Sequence, residues 1–234
     1  MHETITGMIS TDMFMLLLAL LPAAVLLIYI YRKDTVEKEP IPFLIKLFLF
    51  GAASVFFAMI AGFAGDYLIS PLFDENSVLW LAVDNFILTA LIEEGGKYFV
   101  LKKTTWNSPH FNFTFDAVVY AVTVSLGFAA LENIFYVVGD TVSTAVMRAL
   151  LSVPGHAIDG VFMGFYYGLA KKTGIKGYLT KALVVPTLLH GFYDFTISLG
   201  SDLSVLVFFA FEIVITVLAV IKVRKLSKND TWIY

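Results

Sequence analysis

Long apolar stretches alternate with short polar connections along almost the whole chain. A membrane-spanning helix needs about 20 mostly apolar residues, and seven stretches satisfy this requirement. They cover residues 13–31, 43–69, 78–101, 117–139, 142–169, 178–199 and 204–223. The pattern predicts an all-α polytopic membrane protein with about seven transmembrane helices. Because no repeat, low-complexity tract or Pro/Gly linker divides the chain, we expect residues 1–234 to form a single integral-membrane domain.

The composition agrees with a membrane protein and excludes several other classes. Hydrophobic residues make up 59% of the chain and charged residues 15%, with a mean hydropathy of +0.82. Soluble domains are about half apolar and about a quarter charged. We therefore expect the lipid bilayer to be an obligate partner, and nothing indicates binding of nucleic acid. The absence of cysteine excludes disulfides, a cysteine nucleophile and thiolate metal sites.

The basic residues predict how the chain is oriented in the membrane. Fourteen of the sixteen Lys and Arg residues lie in the first, third and fifth connections, in the C-terminal tail, or in the turn of a span that adjoins one of these. By the positive-inside rule, the N-terminus is outside and the C-terminus is cytoplasmic. Residues 1–12 contain no Lys or Arg, so the first span lacks the charged region of a cleaved signal peptide.

Several predicted spans contain residues that are costly in a bilayer. Such residues usually face the interior of the helix bundle and indicate a functional site. The main candidates are Glu93, Glu94, Lys97, Glu132, Asn133, His156, Asp159, His190 and Asp194.

The third span carries two adjacent carboxylates and one lysine on a shared helix face. Glu93 and Lys97 are four residues apart, and Glu94 and Lys97 are three apart. Lys97 would keep one carboxylate ionised, which leaves the other free to act as a base toward water. A buried ion pair that only fixes helix packing explains this pair of contacts equally well.

Two histidines each have an aspartate within one helical turn. His190 and Asp194 stack on one helix face, so the carboxylate can orient the imidazole and set its tautomer. His156 and Asp159 are three residues apart on another span. A single intramembrane histidine is usually a packing residue, but two such pairs together with the Glu pair favour a chemical site.

Other polar residues in the spans are less specific. Glu132 and Asn133 suit hydrogen bonds between helices and substrate binding equally well. Arg148 and Glu212 are interpreted as residues for packing or for positioning at a given depth in the lipid.

Four motifs in order resemble a known family. They are E-E-G-G-K at 93–97, S-L-G-F-A-A-L-E-N at 125–133, H-x-x-x-G at 156–160 and H-G-F-Y-D at 190–194. Together they resemble the PrsW family of intramembrane proteases, over roughly residues 20–200. The Lys-Asp and Glu-Pro residues within 33–40 also resemble this family. The CAAX prenyl proteases are more distant relatives and have Arg where this chain has Lys97.

The resemblance implies a CAAX-protease-like helical bundle in a bacterial plasma membrane. It also implies a peptidase that makes the regulated first cut, at site 1, in a single-pass membrane anti-sigma factor. That cut activates an extracytoplasmic-function sigma factor under envelope or antimicrobial-peptide stress. Glu93, Glu94, His156 and His190 then become the catalytic candidates. The supporting residues are Lys97, Glu132, Asn133, Asp159 and Asp194.

The mechanism we favour needs no cofactor: Glu93 activates a water molecule, and a histidine stabilises the oxyanion. The alternative is a zinc ion held by His156, His190, Glu93 and Asp194, since imidazole and carboxylate groups are zinc ligands. An ion- or proton-coupled transporter is the alternative outside the protease class.

The predicted orientation conflicts with the depth of the site. Glu93 is nine residues from Lys102, about 13 Å of helix, which places it in the inner half of the bilayer. A first cut in an anti-sigma factor is expected on the outer side. The sequence leaves this conflict open.

Overall fold

In a computed structural model, the chain forms a bundle of helices. The structure describes residues 2–138 and 140–233, with side chains from residue 13 onward. In these residues the α-helices are α1 (His2–Lys33), α2 (Ile41–Ile69), α3 (Val78–Val83), α4 (Ile92–Thr105), α5 (Asp116–Val137), α6 (Val142–Met147), α7 (Val153–Thr173), α8 (Gly177–Ser198) and α9 (Asp202–Lys228). A short 3₁₀ turn, Ser70–Leu72, follows α2. The predicted all-α membrane class is confirmed.

Two π-helical segments join pairs of these helices into longer rods. Asp84–Leu91 connects α3 to α4, and Arg148–Ser152 connects α6 to α7. The described residues therefore form seven helical rods, in agreement with the seven predicted stretches. Pro154 lies just after the second segment and has no backbone N–H for the helical ladder. π-Helical turns are rare and often occur at functional sites.

Helix α5 is the centre of the bundle. Four described helices are long and apolar enough to cross a membrane: Met13–Lys33, Ile41–Leu72, Asp116–Val137 and Asp202–Lys228. In α5, 78% of the apolar stretch is buried inside the protein, against 22–28% in the other three. Their exposed apolar faces suit contact with lipid, whereas α5 packs mainly against α7, α2 and α1.

Glycines bring α2 and α5 into direct backbone contact. A Cβ atom at Gly51 would lie 2.1 Å from the carbonyl oxygen of Val124, and one at Gly127 would lie 2.0 Å from that of Phe48. Small residues at such crossings allow the close van der Waals packing that holds membrane helices together. This crossing positions α5, which carries Glu132, beside the other elements of the site.

We expect Gly51→Ala to destabilise the bundle by about 1–3 kcal/mol, the usual range for overpacking. The added methyl group meets backbone atoms, which cannot move aside as a flexible side chain would. Thermal unfolding of detergent-solubilised protein measures the change. Gly177→Ala is the matched control, because a Cβ there meets nothing within 4 Å. Equal stability of the two variants would contradict the close crossing.

Candidate active site

A cavity of about 480 Å³ lies among α4, α5, α7, α8 and α9, and Glu212 of α9 is part of its lining. Its lining includes six of the predicted site residues: Glu93, Glu132, His156, Asp159, His190 and Asp194. The cavity also reaches the ends of α5 and α8 and the start of the α6–α7 rod. It is therefore displaced toward the end of the bundle whose connections lack Lys and Arg. Glu94, Lys97 and Asn133 are buried behind its wall.

Lys97 distinguishes the two adjacent carboxylates. Its Nζ donates to Glu94 Oε1 at 2.7 Å and lies 3.4 Å from Glu93 Oε2. Lys97 and Glu94 are fully buried, whereas the side chain of Glu93 is 13% exposed. Glu94 is thus tied into the protein by a short ion pair, and Glu93 presents its carboxylate to the cavity. The first turn of α4, directly after a π-helical segment, holds both residues.

His156 is fixed in one tautomer by its two neighbours. Its Nδ1 lies 3.0 Å from the Lys97 ammonium, and its Nε2 lies 3.0 Å from Glu132 Oε2. An ammonium group can only donate, so Nδ1 accepts and Nε2 carries the proton that it donates to Glu132. The Lys97 ammonium also lies 4.0 Å from the centre of the Phe128 ring. His156 therefore links the lysine of α4 to the glutamate of α5.

His190 bridges two carboxylates. Its Nδ1 lies 3.0 Å from Glu94 Oε1, and its Nε2 lies 3.1 Å from Asp194 Oδ2. The same Nε2 is 3.9 Å from Glu93 Oε2. Ionised carboxylates only accept hydrogen bonds, so both ring nitrogens are placed to donate. The His190 ring also meets the His156 ring edge-on, with centroids 5.2 Å apart.

Arg148, interpreted from the sequence as a residue for packing or lipid depth, contacts two of the predicted site residues. Its Nη2 donates to Glu132 Oε2 at 2.8 Å, and its Nε donates to Asn133 Oδ1 at 2.8 Å. Asn133 in turn donates through Nδ2 to the carbonyl of Ala19 on α1. Arg148 begins a π-helical segment, and apolar periodicity does not reveal such a segment.

Two groups of described residues bring possible metal ligands within 4.8 Å of one another near the cavity. One is Glu94, His156, Asp159 and His190, and the other is Glu93, Glu132 and His156. Neither group coincides with the predicted set of His156, His190, Glu93 and Asp194. The Lys97 ammonium contacts two members of each group, Glu94 and His156 in the first and Glu93 and His156 in the second, which disfavours a further cation at either place. The second group lines the cavity and fits zinc by ligand type.

A helical membrane bundle with buried Glu, His and Lys side chains around a cavity fits both an intramembrane hydrolase and a transporter. Comparison with known sequences places the chain in the hydrolase class. The family described as "PrsW family intramembrane metalloprotease" matches residues 39–222. The chain belongs to this family and is a peptidase.

Curated relatives named "Protease PrsW" support the assignment. The protein of Geobacillus kaustophilus is 41% identical over 175 residues, which is 74% of this chain and 75% of the relative. That of Bacillus subtilis is 39% identical over 77% of this chain and 81% of the relative. That of Halalkalibacterium halodurans is 35% identical over 93% of this chain and 100% of the relative. No solved structure gives a significant match.

Proposed function

We propose that this peptidase makes the regulated first cut, at site 1, in a single-pass membrane anti-sigma factor. The cut would activate an extracytoplasmic-function sigma factor under envelope or antimicrobial-peptide stress. The proposed peptide-bond chemistry rests on the different positions of the two adjacent carboxylates. Glu94 forms the short ion pair with Lys97, whereas Glu93 lines the cavity.

In the proposed reaction, Glu93 accepts a proton from a water molecule, and the resulting hydroxide attacks the scissile carbonyl carbon. The Nε2–H group of His190 lies 3.9 Å from Glu93 Oε2, and it would turn from Asp194 toward the oxyanion in order to stabilise it. Glu93 then returns its proton to the leaving nitrogen as the C–N bond breaks. Asp194 and Glu94 orient His190, and Glu132 orients His156. These residues act by positioning, with the Lys97 ammonium at their centre.

A zinc ion is the alternative, supported by the family description and by the ligand group that lines the cavity. Glu93, Glu132 and His156 would hold it, and Arg148 would then have to release Glu132. A bound zinc ion would supply Lewis-acid polarisation of the scissile carbonyl. Zinc content after purification without added metal, together with cleavage in the presence of a chelator, distinguishes this alternative from the metal-free reaction.

The position of the cavity supports access from the outer side of the membrane. Glu132 and Tyr136 lie in the last turns of α5, and Asp194 lies in the last turns of α8. Both helices end at connections without Lys or Arg, which the positive-inside rule places outside. We infer that the cavity opens outward in a plasma membrane with the C-terminus in the cytoplasm. This inference removes the conflict between the orientation and an outer cut.

Co-reconstitution tests the proposed substrate class. The protein and a single-pass anti-sigma factor from the same genome are placed in liposomes, and fragments are followed on a gel. An unrelated single-pass membrane protein serves as the control substrate. We expect cleavage of the anti-sigma factor and none of the control. Equal cleavage of both would reject a specific role in anti-sigma factor processing.

Arg148→Gln is expected to slow cleavage about 10-fold, the equivalent of ~1.4 kcal/mol in the barrier. The change removes the cation and the two donors that hold Glu132 and Asn133, so His156 loses its fixed partner. Initial cleavage rates in liposomes measure the effect. Arg224→Gln removes the same charge from an exposed position of α9 and should leave the rate unchanged. An unaffected rate in Arg148→Gln would exclude a positioning role for Arg148.

A further inference from the structure

Three aspartates meet at the end of the bundle opposite the cavity. Asp34 follows α1, Asp116 begins α5 and Asp230 lies beyond α9. One carboxylate oxygen from each lies within 4.8 Å of the other two. Asp34 and Asp116 are both 0% exposed. The cluster shares no residue with the site around Glu93 and contains neither His nor Cys.

Part of each buried carboxylate lacks a protein partner. Both side-chain oxygens of Asp34, and Oδ1 of Asp116, have no hydrogen-bond donor among the described residues. The other oxygen of Asp116 accepts from the backbone N–H groups of Phe113 and Asn112, at 2.7 and 3.0 Å. Asp116 is therefore held in place by the backbone, while the Asp34 carboxylate has only a weak interaction with the backbone N–H of Glu39. A buried carboxylate that is so poorly satisfied is costly, and either a proton or a bound cation would relieve that cost.

The protein supplies only part of the missing positive charge. Lys38 attracts the Asp34 carboxylate, but its ammonium donates to the backbone carbonyls of Tyr31 and Asp34 rather than to the carboxylate. A further acid, Glu39, is also buried and accepts from the hydroxyl of Tyr120 at 2.6 Å. Burial, reinforced by neighbouring carboxylates, raises the pKa of Asp34 to about 6 and that of Glu39 to about 7.

We propose that Asp34, Asp116 and Asp230 bind a hard divalent cation, Ca²⁺ or Mg²⁺. Both ions prefer carboxylate and carbonyl oxygens and complete their coordination with water. Zinc is disfavoured because the cluster contains no imidazole or thiolate. Two positive charges would neutralise most of the cluster and satisfy the unpaired oxygens of Asp34.

The cation would fasten three separate segments of the chain. Asp230 accepts from the N–H of Phe115 at 2.8 Å and from Thr114 Oγ1 at 2.9 Å, and so ties the C-terminal segment to the start of α5. Backbone hydrogen bonds from Thr114 N to Thr231 O, and from Ile233 N to Asn112 O, extend this contact. Asp34 adds the end of α1 to the same point. The bound ion would therefore stabilise the end of the bundle at which most of the Lys and Arg residues lie.

Metal binding by full-length protein in detergent tests the proposal. The protein is stripped with a chelator and dialysed against millimolar CaCl₂ or MgCl₂, and bound metal is counted by elemental analysis. We expect wild type to bind about one Ca²⁺ or Mg²⁺ per chain and Asp34→Asn to bind none. Glu75→Gln removes an exposed charge from a connection at the opposite end of the bundle and should bind as wild type does. Glu93→Gln should also bind normally, which separates this ion from any metal in the cavity.

Thermal unfolding gives a second measurement. If Asp34 only held the fold together, its replacement would lower the melting temperature, whereas the proposed cation site predicts the opposite change in chelator. In chelator, Asp34→Asn should melt at a higher temperature than wild type, because it removes one of several buried like charges. Added Ca²⁺ or Mg²⁺ should raise the melting temperature of wild type, through binding to the folded state, but not that of Asp34→Asn.

If Asp34→Asn fails to fold, Asp230→Asn replaces it, with an expected loss of affinity of at least ~10-fold, typical of a lost charged ligand. Wild-type protein that binds neither ion at millimolar concentration overturns the proposal and leaves protons as the neutralising species. Equal binding by wild type and the aspartate variants overturns it as well.

Discussion

Glu93→Gln is expected to reduce peptide cleavage by about 10²–10⁴-fold, the usual contribution of a general base. The amide keeps the shape of the side chain and its place beside Lys97, but it cannot accept a proton from water. Glu93 is the carboxylate that lines the cavity while Glu94 is engaged by Lys97 and His190. Initial rates of substrate cleavage in liposomes measure the loss.

The control for this prediction is Glu75→Gln, which removes the same charge from an exposed position. It should cleave at the wild-type rate. Both variants should keep the wild-type melting temperature within a few degrees, so that lost activity is not a folding defect. A Glu93→Gln protein that cleaves normally would transfer the role of base to another group.

Lys97→Met is expected to destabilise the protein by about 3–5 kcal/mol, the cost of breaking a buried ion pair by removing one partner. The side chains of Lys97 and Glu94 are both fully buried, so water cannot replace the lost ammonium. The change also removes the donor that sets the tautomer of His156. Thermal unfolding in detergent measures the loss, and Lys103→Met on the exposed surface of α4 is the matched control.

The double variant Lys97→Met with Glu94→Gln separates stability from function. Removing both charges should recover much of the lost stability, because no uncompensated carboxylate remains at position 94. Cleavage should stay low, since His156 and His190 then each lose one of the two partners that hold them. If the double variant were as unstable as the single one, the ion pair would not be the source of the instability.

Much of the fold can be predicted from the sequence, because lipid imposes a strong constraint on it. Each span must satisfy its own backbone hydrogen bonds and present apolar side chains, so length and hydropathy identify the helices. The helical spacing also placed Lys97 on the same face as Glu93 and Glu94. It could not show which carboxylate the lysine would take, since both are within one turn.

The rest of the site depends on contacts between helices, and the local sequence pattern of one helix does not predict these. The turns at Asp84–Leu91 and Arg148–Ser152 are π-helical, and a wider turn changes which side chains face the cavity. This is why Arg148 could not be assigned to Glu132 from the sequence. The aspartate cluster was missed for the same reason, since Asp34, Asp116 and Asp230 are far apart in sequence and meet only when three segments pack.

We propose that Glu93 drives hydrolysis of a peptide bond in a membrane-spanning substrate, and mass spectrometry of the products from co-reconstituted enzyme and single-pass anti-sigma factor tests this role. We expect two fragments whose masses sum to that of the substrate plus one water, with wild type and not with Glu93→Gln. The same fragments produced at the same rate by Glu93→Gln would contradict it.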